Sequence, residues 1–125
     1  MSIFETTDKQ LNRDKLLEPD WYDWEITDVE DKPSKTDGSN NCWVSCEGIG
    51  ESNRYVQVSI CFNEKWSPVL IPFIKGAMGA EPNPGDQFEF TKDKLKGKQF
   101  SGFNQPKLFE GKMRNNLTDF KPLAA

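Results

Sequence analysis

An all-β domain with a single helix is the fold class this sequence predicts, and three observations predict it. Apolar and polar residues alternate with a period of two in three successive stretches of the first half. Only "SPVLIPFIKGAMG" repeats its apolar residues at helical spacing. A last pair of segments, "KQFSGFN" and "KMRNNLTDFKPL", flanks "QPKLFEG" and reads as a hairpin with a long loop. At 125 residues the chain has material for one packed core rather than two.

Residues 1–18 read as an arm, with Ile3, Phe4, Leu11, Leu16 and Leu17 available to dock it. A domain over 19–122 and a short tail at 123–125 follow. The first strand starts at Trp21, with Tyr22, Trp24 and Ile26 on one face and Asp23, Glu25 and Thr27 on the other. "DKPSKTDGSN" is a loop by its Pro, Ser, Gly and Asn content. In "CWVSCEG" Cys42, Val44 and Cys46 share a face opposite Trp43, Ser45 and Glu47. "IGESN" turns the chain into "RYVQVSICF", where Val56, Val58, Ile60 and Phe62 alternate with Tyr55, Gln57, Ser59 and Cys61.

Val69, Leu70, Phe73, Ile74, Ala77 and Met78 then predict a helix with Ser67 as N-cap, Pro68 first and Gly79 as its stop. Pro72 removes an internal hydrogen bond, so a start at Pro72 is the alternative. "AEPNPGD" is a turn and "QFEFT" a short strand. Strand, strand, strand, helix, strand, strand is the order of a five-stranded OB-fold barrel, with the helix between strands three and four. A helix packed on an open antiparallel sheet gives the same string.

Composition narrows the chemistry. The chain has no histidine, which removes the commonest general base and metal ligand. Cys42 and Cys46 share a strand face with Val44, the placement of small core residues rather than zinc ligands. "GIGES" and "KGAMG" lack the lysine spacing of a phosphate-binding loop. No enzyme, cofactor or metal is expected. Three cysteines suit reduced thiols, no apolar run spans a bilayer, and "MSIFETTDKQLNRDK" is not built as a signal peptide. A cytoplasmic protein without membrane partners is the expectation.

Net charge is −4, yet the charges are segregated. Residues 18–31 hold seven acids and no base, whereas residues 92–121 hold eight bases against three acids. Trp43 and Tyr55 fall on the polar phase of adjacent strands, so both rings are expected on one exposed sheet face. Exposed aromatics beside cations form a stacking platform for unpaired bases. Lys98, Lys107, Lys112 and Arg114 line the last hairpin, with Phe103 and Phe109 near its loop. Lys32 and Lys35 stand in the loop joining strands one and two, and Arg54 precedes Tyr55. In an OB-fold these two loops bracket the oligonucleotide groove. A different class, an acidic protein-interaction or DNA-mimic module, is the rival expectation.

The frame "WYDWEITDVEDKPSKTDGSN", "KGAMGAEP" and "LKGKQFSGF…FEGKMRNNLTDFKP" resembles bacteriophage single-stranded DNA-binding proteins of OB-fold type. The resemblance covers roughly residues 17–122, and its most specific positions are Leu95, Gly97, Lys98, Gly111, Lys112 and Asn115. It implies sequence-independent binding of single-stranded DNA in phage replication or recombination, in the cytoplasm of the infected host. A phage polymerase, helicase or nuclease is the implied protein partner. Proteins of this class often end in an acidic tail, which "FKPLAA" is not. Either such a tail was removed, or partner recruitment uses another surface, such as the acidic residues 18–31.

Overall fold

A computed structural model of the chain describes residues 1–123; Ala124 and Ala125, part of the expected tail, lie outside them. The five long strands are β1 (Asp20–Pro33), β2 (Asn40–Gly48), β3 (Gln57–Asn63), β4 (Gln99–Asn104) and β7 (Leu117–Pro122). They form one curled antiparallel sheet in the order β3-β2-β1-β4-β7. Between β4 and β7 the chain makes a separate ribbon of β5 (Lys107–Phe109) and β6 (Lys112–Arg114). Three short helices complete the described residues: α1 (Asp8–Asn12), α2 (Leu70–Gly76) and α3 (Lys92–Leu95).

Strand β1 is longer than its alternation suggests because the period changes inside it. Pairing with β2 slips between Ile26 and Asp28, which leaves Thr27 as a bulge. Before the bulge Trp24 and Ile26 point into the core; after it Val29 packs there and Asp31 opposes Cys42. The strand therefore runs on through "DVEDKP", into residues expected as loop. Strand β3 instead starts late. Residues 49–56 form a loop organised by buried Asn53, whose Nδ2 donates to the Asp23 carbonyl at 2.8 Å while its Oδ1 accepts from Gly50 N–H at 3.0 Å.

Helix α2 begins at Leu70, so Pro72 falls in the first turn, where backbone N–H groups have no intrahelical partner to lose. Ser67 is not its cap; the Ser67 hydroxyl accepts from Asn63 N–H at 2.6 Å. Gly79 does end the segment, in the left-handed region at φ 68°, with Ala80 N–H donating to the Ile74 carbonyl. Residues 87–91 are not a strand. Phe90 packs on Phe62 and Phe73, and Thr91 caps α3.

The core centres on Phe73 of α2, with ring centroids of Phe62, Phe120 and Phe100 at 5.0, 5.3 and 6.0 Å. Gly76 lets α2 approach β7 this closely, because a Cβ there would collide with the Phe120 carbonyl. No ladder joins β3 to β7 among the described residues, so the sheet has an open seam. Residues 13–17 of the N-terminal arm cross one end of it. Gln57 N–H donates to the Arg13 carbonyl at 2.9 Å, and Leu17 is buried. Asn115 accepts from Leu17 N–H at 2.9 Å and donates to the Lys15 carbonyl at 2.8 Å. Buried Asn104 donates to both the Leu17 carbonyl and Asn115 Oδ1 at 3.1 Å. Ile3, Phe4, Leu11 and Leu16, expected to dock the arm, remain exposed.

Asn115→Ala should strip partners from Leu17 N–H, the Lys15 carbonyl and Asn104 at once. A loss of roughly 1–3 kcal/mol in denaturant unfolding is expected, since each orphaned buried group carries a desolvation cost. Limited proteolysis should cut the arm faster as well. Unchanged stability and cleavage would mean that the arm is not held by Asn115.

Candidate nucleic-acid interface

The outward face of the sheet carries the expected side chains, but the strands divide them between its two ends. On β2, Trp43 faces outward, half-buried, opposite Glu30 of β1 and Cys61 of β3. Lys32 lies on the same stretch of β1, 3.6 Å from Glu30, and exposed Lys35 sits in the loop that follows. Tyr55 is not beside Trp43. It lies in the loop at φ 68°, beyond the Glu47–Gln57 pair, with the Arg54 guanidinium 5.2 Å from its ring centroid. The strand-to-strand level of Trp43 is more than about 13 Å away at ~3.3 Å per residue. The two rings therefore do not make the expected single platform, because the antiparallel register sets Trp43 opposite Cys61, six residues from Tyr55, whether or not the strand reaches back to Tyr55.

A second aromatic group occupies the other end. Trp21 on β1 faces Phe103 on β4, with ring centroids 5.6 Å apart and planes at 72°. Lys121 of β7 places its ammonium 4.3 Å from the Trp21 ring centroid. A cavity of about 350 Å³ separates Trp21 from residues 50–53 of the loop that carries Arg54 and Tyr55. Trp21 and the level of Trp43 stand about 30 Å apart along β1 at ~3.3 Å per residue. Sequence reading missed Trp21, although it shares its phase with Asp23 and Glu25 and was legible as outward. It also missed Trp66, 76% exposed, in the turn after β3 beside the Lys65–Asp37 ion pair of 3.0 Å.

The β5–β6 ribbon continues outward from the second end as an arm. A two-residue turn at Glu110 and Gly111, φ 50° and 80°, joins its strands, the geometry that suits a twisted hairpin. Lys107 opposes Arg114, Leu108 opposes Met113, and Phe109 opposes Lys112. Directly opposed residues share a face, so Lys107, Phe109, Lys112 and Arg114 make one side and Leu108 with Met113 the other. The Arg114 guanidinium lies 5.6 Å from the Phe109 ring centroid. All six strand residues are exposed, and none of the three cations is ion-paired among the described residues. Lys98 is exposed too, just before β4, where its carbonyl accepts from Ile26 N–H at 2.9 Å.

Acids lie between the two ends, and several are neutralised locally. Lys92 of α3 sits 2.9 Å from Asp28; this contact holds the carboxyl below its ordinary range and raises the lysine. Glu25 accepts from the Gln99 amide at 3.0 Å. Glu47 directly opposes Glu25; its buried Oε1 has no hydrogen-bond partner among the described residues, and the Lys9 ammonium lies 3.7 Å from it. In the loop after β1, hydrogen bonds from the Ser39 hydroxyl and amide, then Lys65, bring Asp37 down to about 2.

The motif positions have architectural duties. Leu95 is fully buried, Gly97 turns at φ 91°, Gly111 makes the arm's turn, and Asn115 holds residues 15–17. No group of residues suited to a metal ion occurs among the described residues, and no helix is long and apolar enough to cross a membrane. No protein-family model and no curated protein matches the chain.

The cysteines offer a probe of how the two faces of the sheet are packed. Burial, then Asp31, pushes Cys42 up to about 11, and burial raises Cys46 and half-buried Cys61. A raised thiol pKa depletes the reactive thiolate. At pH 8 a maleimide should label the native chain slowly, with Cys61 first and Cys42 and Cys46 only after unfolding. Mass spectrometry of the labelled peptides reads the order; early labelling of Cys46 would contradict the packing described.

Proposed function

We propose that the protein binds single-stranded DNA with little sequence preference, as an OB-type barrel serving phage DNA replication or recombination. The observation that carries this is the β5–β6 arm: three cations without ion pairs among the described residues, grouped with an aromatic ring on one face of an exposed ribbon. Phosphate contacts supply salt-dependent affinity, and aromatic rings add stacking that any base accepts. The arm rises beside Trp21, Phe103 and Lys121, so cations and rings adjoin at one end of the sheet. Trp43, with Lys32 and Lys35 nearby, offers a second point of contact along the same face.

The strand order also supports the barrel type. An OB barrel runs through these neighbours before closing its third strand on its fifth. Here those two strands border the open seam, which the arm residues 13–17 cross. The resemblance of Leu95–Lys98 and Gly111–Asn115 to phage single-stranded DNA-binding proteins points the same way. The rival, a DNA mimic, needs freely presented acids. Asp28 and Glu30 are paired with Lys92 and Lys32, but Glu18, Asp20, Asp23, Glu25 and Asp31 carry no ion pair among the described residues, so titration with oligo(dT) is what separates the two readings.

Oligo(dT) should quench tryptophan fluorescence, with affinity falling steeply as salt rises. Replacing Lys107, Lys112 and Arg114 together by Ala should weaken binding and flatten the log-log salt slope by about 0.7 for each phosphate no longer neutralised. Trp21→Ala and Trp43→Ala should each cost roughly 1–3 kcal/mol of binding while leaving the slope nearly unchanged. A folded triple variant with the parent's affinity and slope would refute the assignment of the arm.

A further inference from the structure

We propose that the arm of one copy seats its Leu108–Met113 face in a cleft at the far end of a second copy, so that chains associate head to tail. The cleft, of about 460 Å³, lies where the ends of β1, β2 and β3 meet α2 and residues 82–90. Its volume falls in the range of built pockets, roughly 300–1,000 Å³. Ile71, Ile74 and Phe88 supply apolar wall, while Asp31, Glu64 and Asp86 supply acidic rim.

Charge complementarity chooses the occupant. The three acids are held by neutral donors only. Asp31 accepts from the Asn40 amide at 3.3 Å, Glu64 from Asn40 N–H at 2.8 Å, and Asp86 from Asn83 N–H at 2.8 Å. None of them is ion-paired among the described residues, and neither is Lys107, Lys112 or Arg114. The ribbon thus carries an apolar pair, three cations and one acid, Glu110 in its turn, a net charge of +2, and the cleft carries an apolar wall and three carboxylates. Leu108 is 62% exposed and Met113 44%, on the side of the ribbon turned away from the cations. The ribbon is one strand layer thick, so the cations stay within a Debye length of about 8–10 Å from the rim while their own face remains free.

Geometry rules out a copy filling its own cleft. Asp20 pairs with Asn104 at the root of the arm, and Asp31 marks the cleft, near opposite ends of the 14-residue β1. At ~3.3 Å per residue these points are about 35 Å apart along the strand, and an arm of this length reaches about 18 Å. A contact between unlike surfaces at opposite ends is heterologous and propagates instead of closing as a two-fold dimer. The contact patch is small, so the association is weak and transient by itself.

The test uses the full chain without DNA, so it stands or falls separately from the DNA-binding reading. In sedimentation velocity at low salt, the sedimentation coefficient should rise continuously with protein concentration and fall back as salt is added. L108S/M113S disables the arm and Ile71→Ser the cleft; Ile71 is 47% exposed, and thermal melts verify that both variants fold. Each variant alone should stay monomeric, yet an equimolar mixture should form a one-to-one dimer that grows no further, because one good arm and one good cleft remain. Glu64→Gln with Asp86→Asn, which keeps both hydrogen-bond acceptors, should weaken association about tenfold and flatten its salt dependence, a tenfold loss being ~1.4 kcal/mol. A parent chain that stays monomeric throughout, variants that associate like the parent, or a mixture that stays monomeric would each overturn the proposal.

Discussion

An open seam between β3 and β7 is the constraint on which the rest of this molecule depends. Five strands curl into a half-barrel over an apolar core, yet among the described residues no ladder joins the two edge strands. Unpaired strand edges invite unwanted pairing and admit water. The chain meets this with two devices of different chemistry. Phe73 and Gly76 press α2 against β7 and fill the interior, while Asn104 and Asn115 hold residues 15–17 over the other end. Both asparagines act through amide groups that donate and accept at once, which suits a backbone segment with no ladder of its own.

Charge follows the same economy. The acids along β1 look, in one dimension, like a continuous negative stripe. In three dimensions α3 delivers Lys92 to Asp28 of that stripe, the N-terminal arm sets Lys9 beside Glu47 on neighbouring β2, and Lys32 answers Glu30 from two residues away. Among the described residues, Lys107, Lys112 and Arg114 gather without ion pairs on the β5–β6 ribbon, and Asp31, Glu64 and Asp86 without ion pairs around the cleft. A molecule of net charge −4 can therefore present a local positive surface without being basic overall.

Alternation made the sheet strands legible, and helical spacing located α2. What escaped was non-local. The Thr27 bulge reverses which residues of β1 face inward, and no period-two reading survives such a shift. Its length was therefore underestimated at "DVEDKP". Tyr55 alternated correctly with Val56 and Val58, but Asn53 reaching across to the Asp23 carbonyl pulled it into a loop. Register had already parted the two rings expected to stand together, since Trp43 pairs with Cys61 and Tyr55 lies beyond Gln57 at the other end of the pair. Trp21 was readable from phase alone, whereas its partners Phe103 and Lys121 depend on strand order, which alternation does not encode. "QFEFT" alternates like a strand, yet Phe90 is drawn onto Phe62 and Phe73 and the segment joins no ladder.

The arm's anchorage also sets an order of events. Leu17 finds its partner in Asn115, 98 positions further along the chain, and Lys15 finds the same side chain 100 positions on. During synthesis the segment emerges well before the ribbon and β7, which flank its holder, exist. Closing so large a loop is entropically unfavourable until intervening strands have brought its ends together. The β1–β2–β3 meander, made of near neighbours, needs no such help. What leaves the ribosome early is thus secured late, and until then Leu17 and the bare edge of β3 are open to whatever else is present.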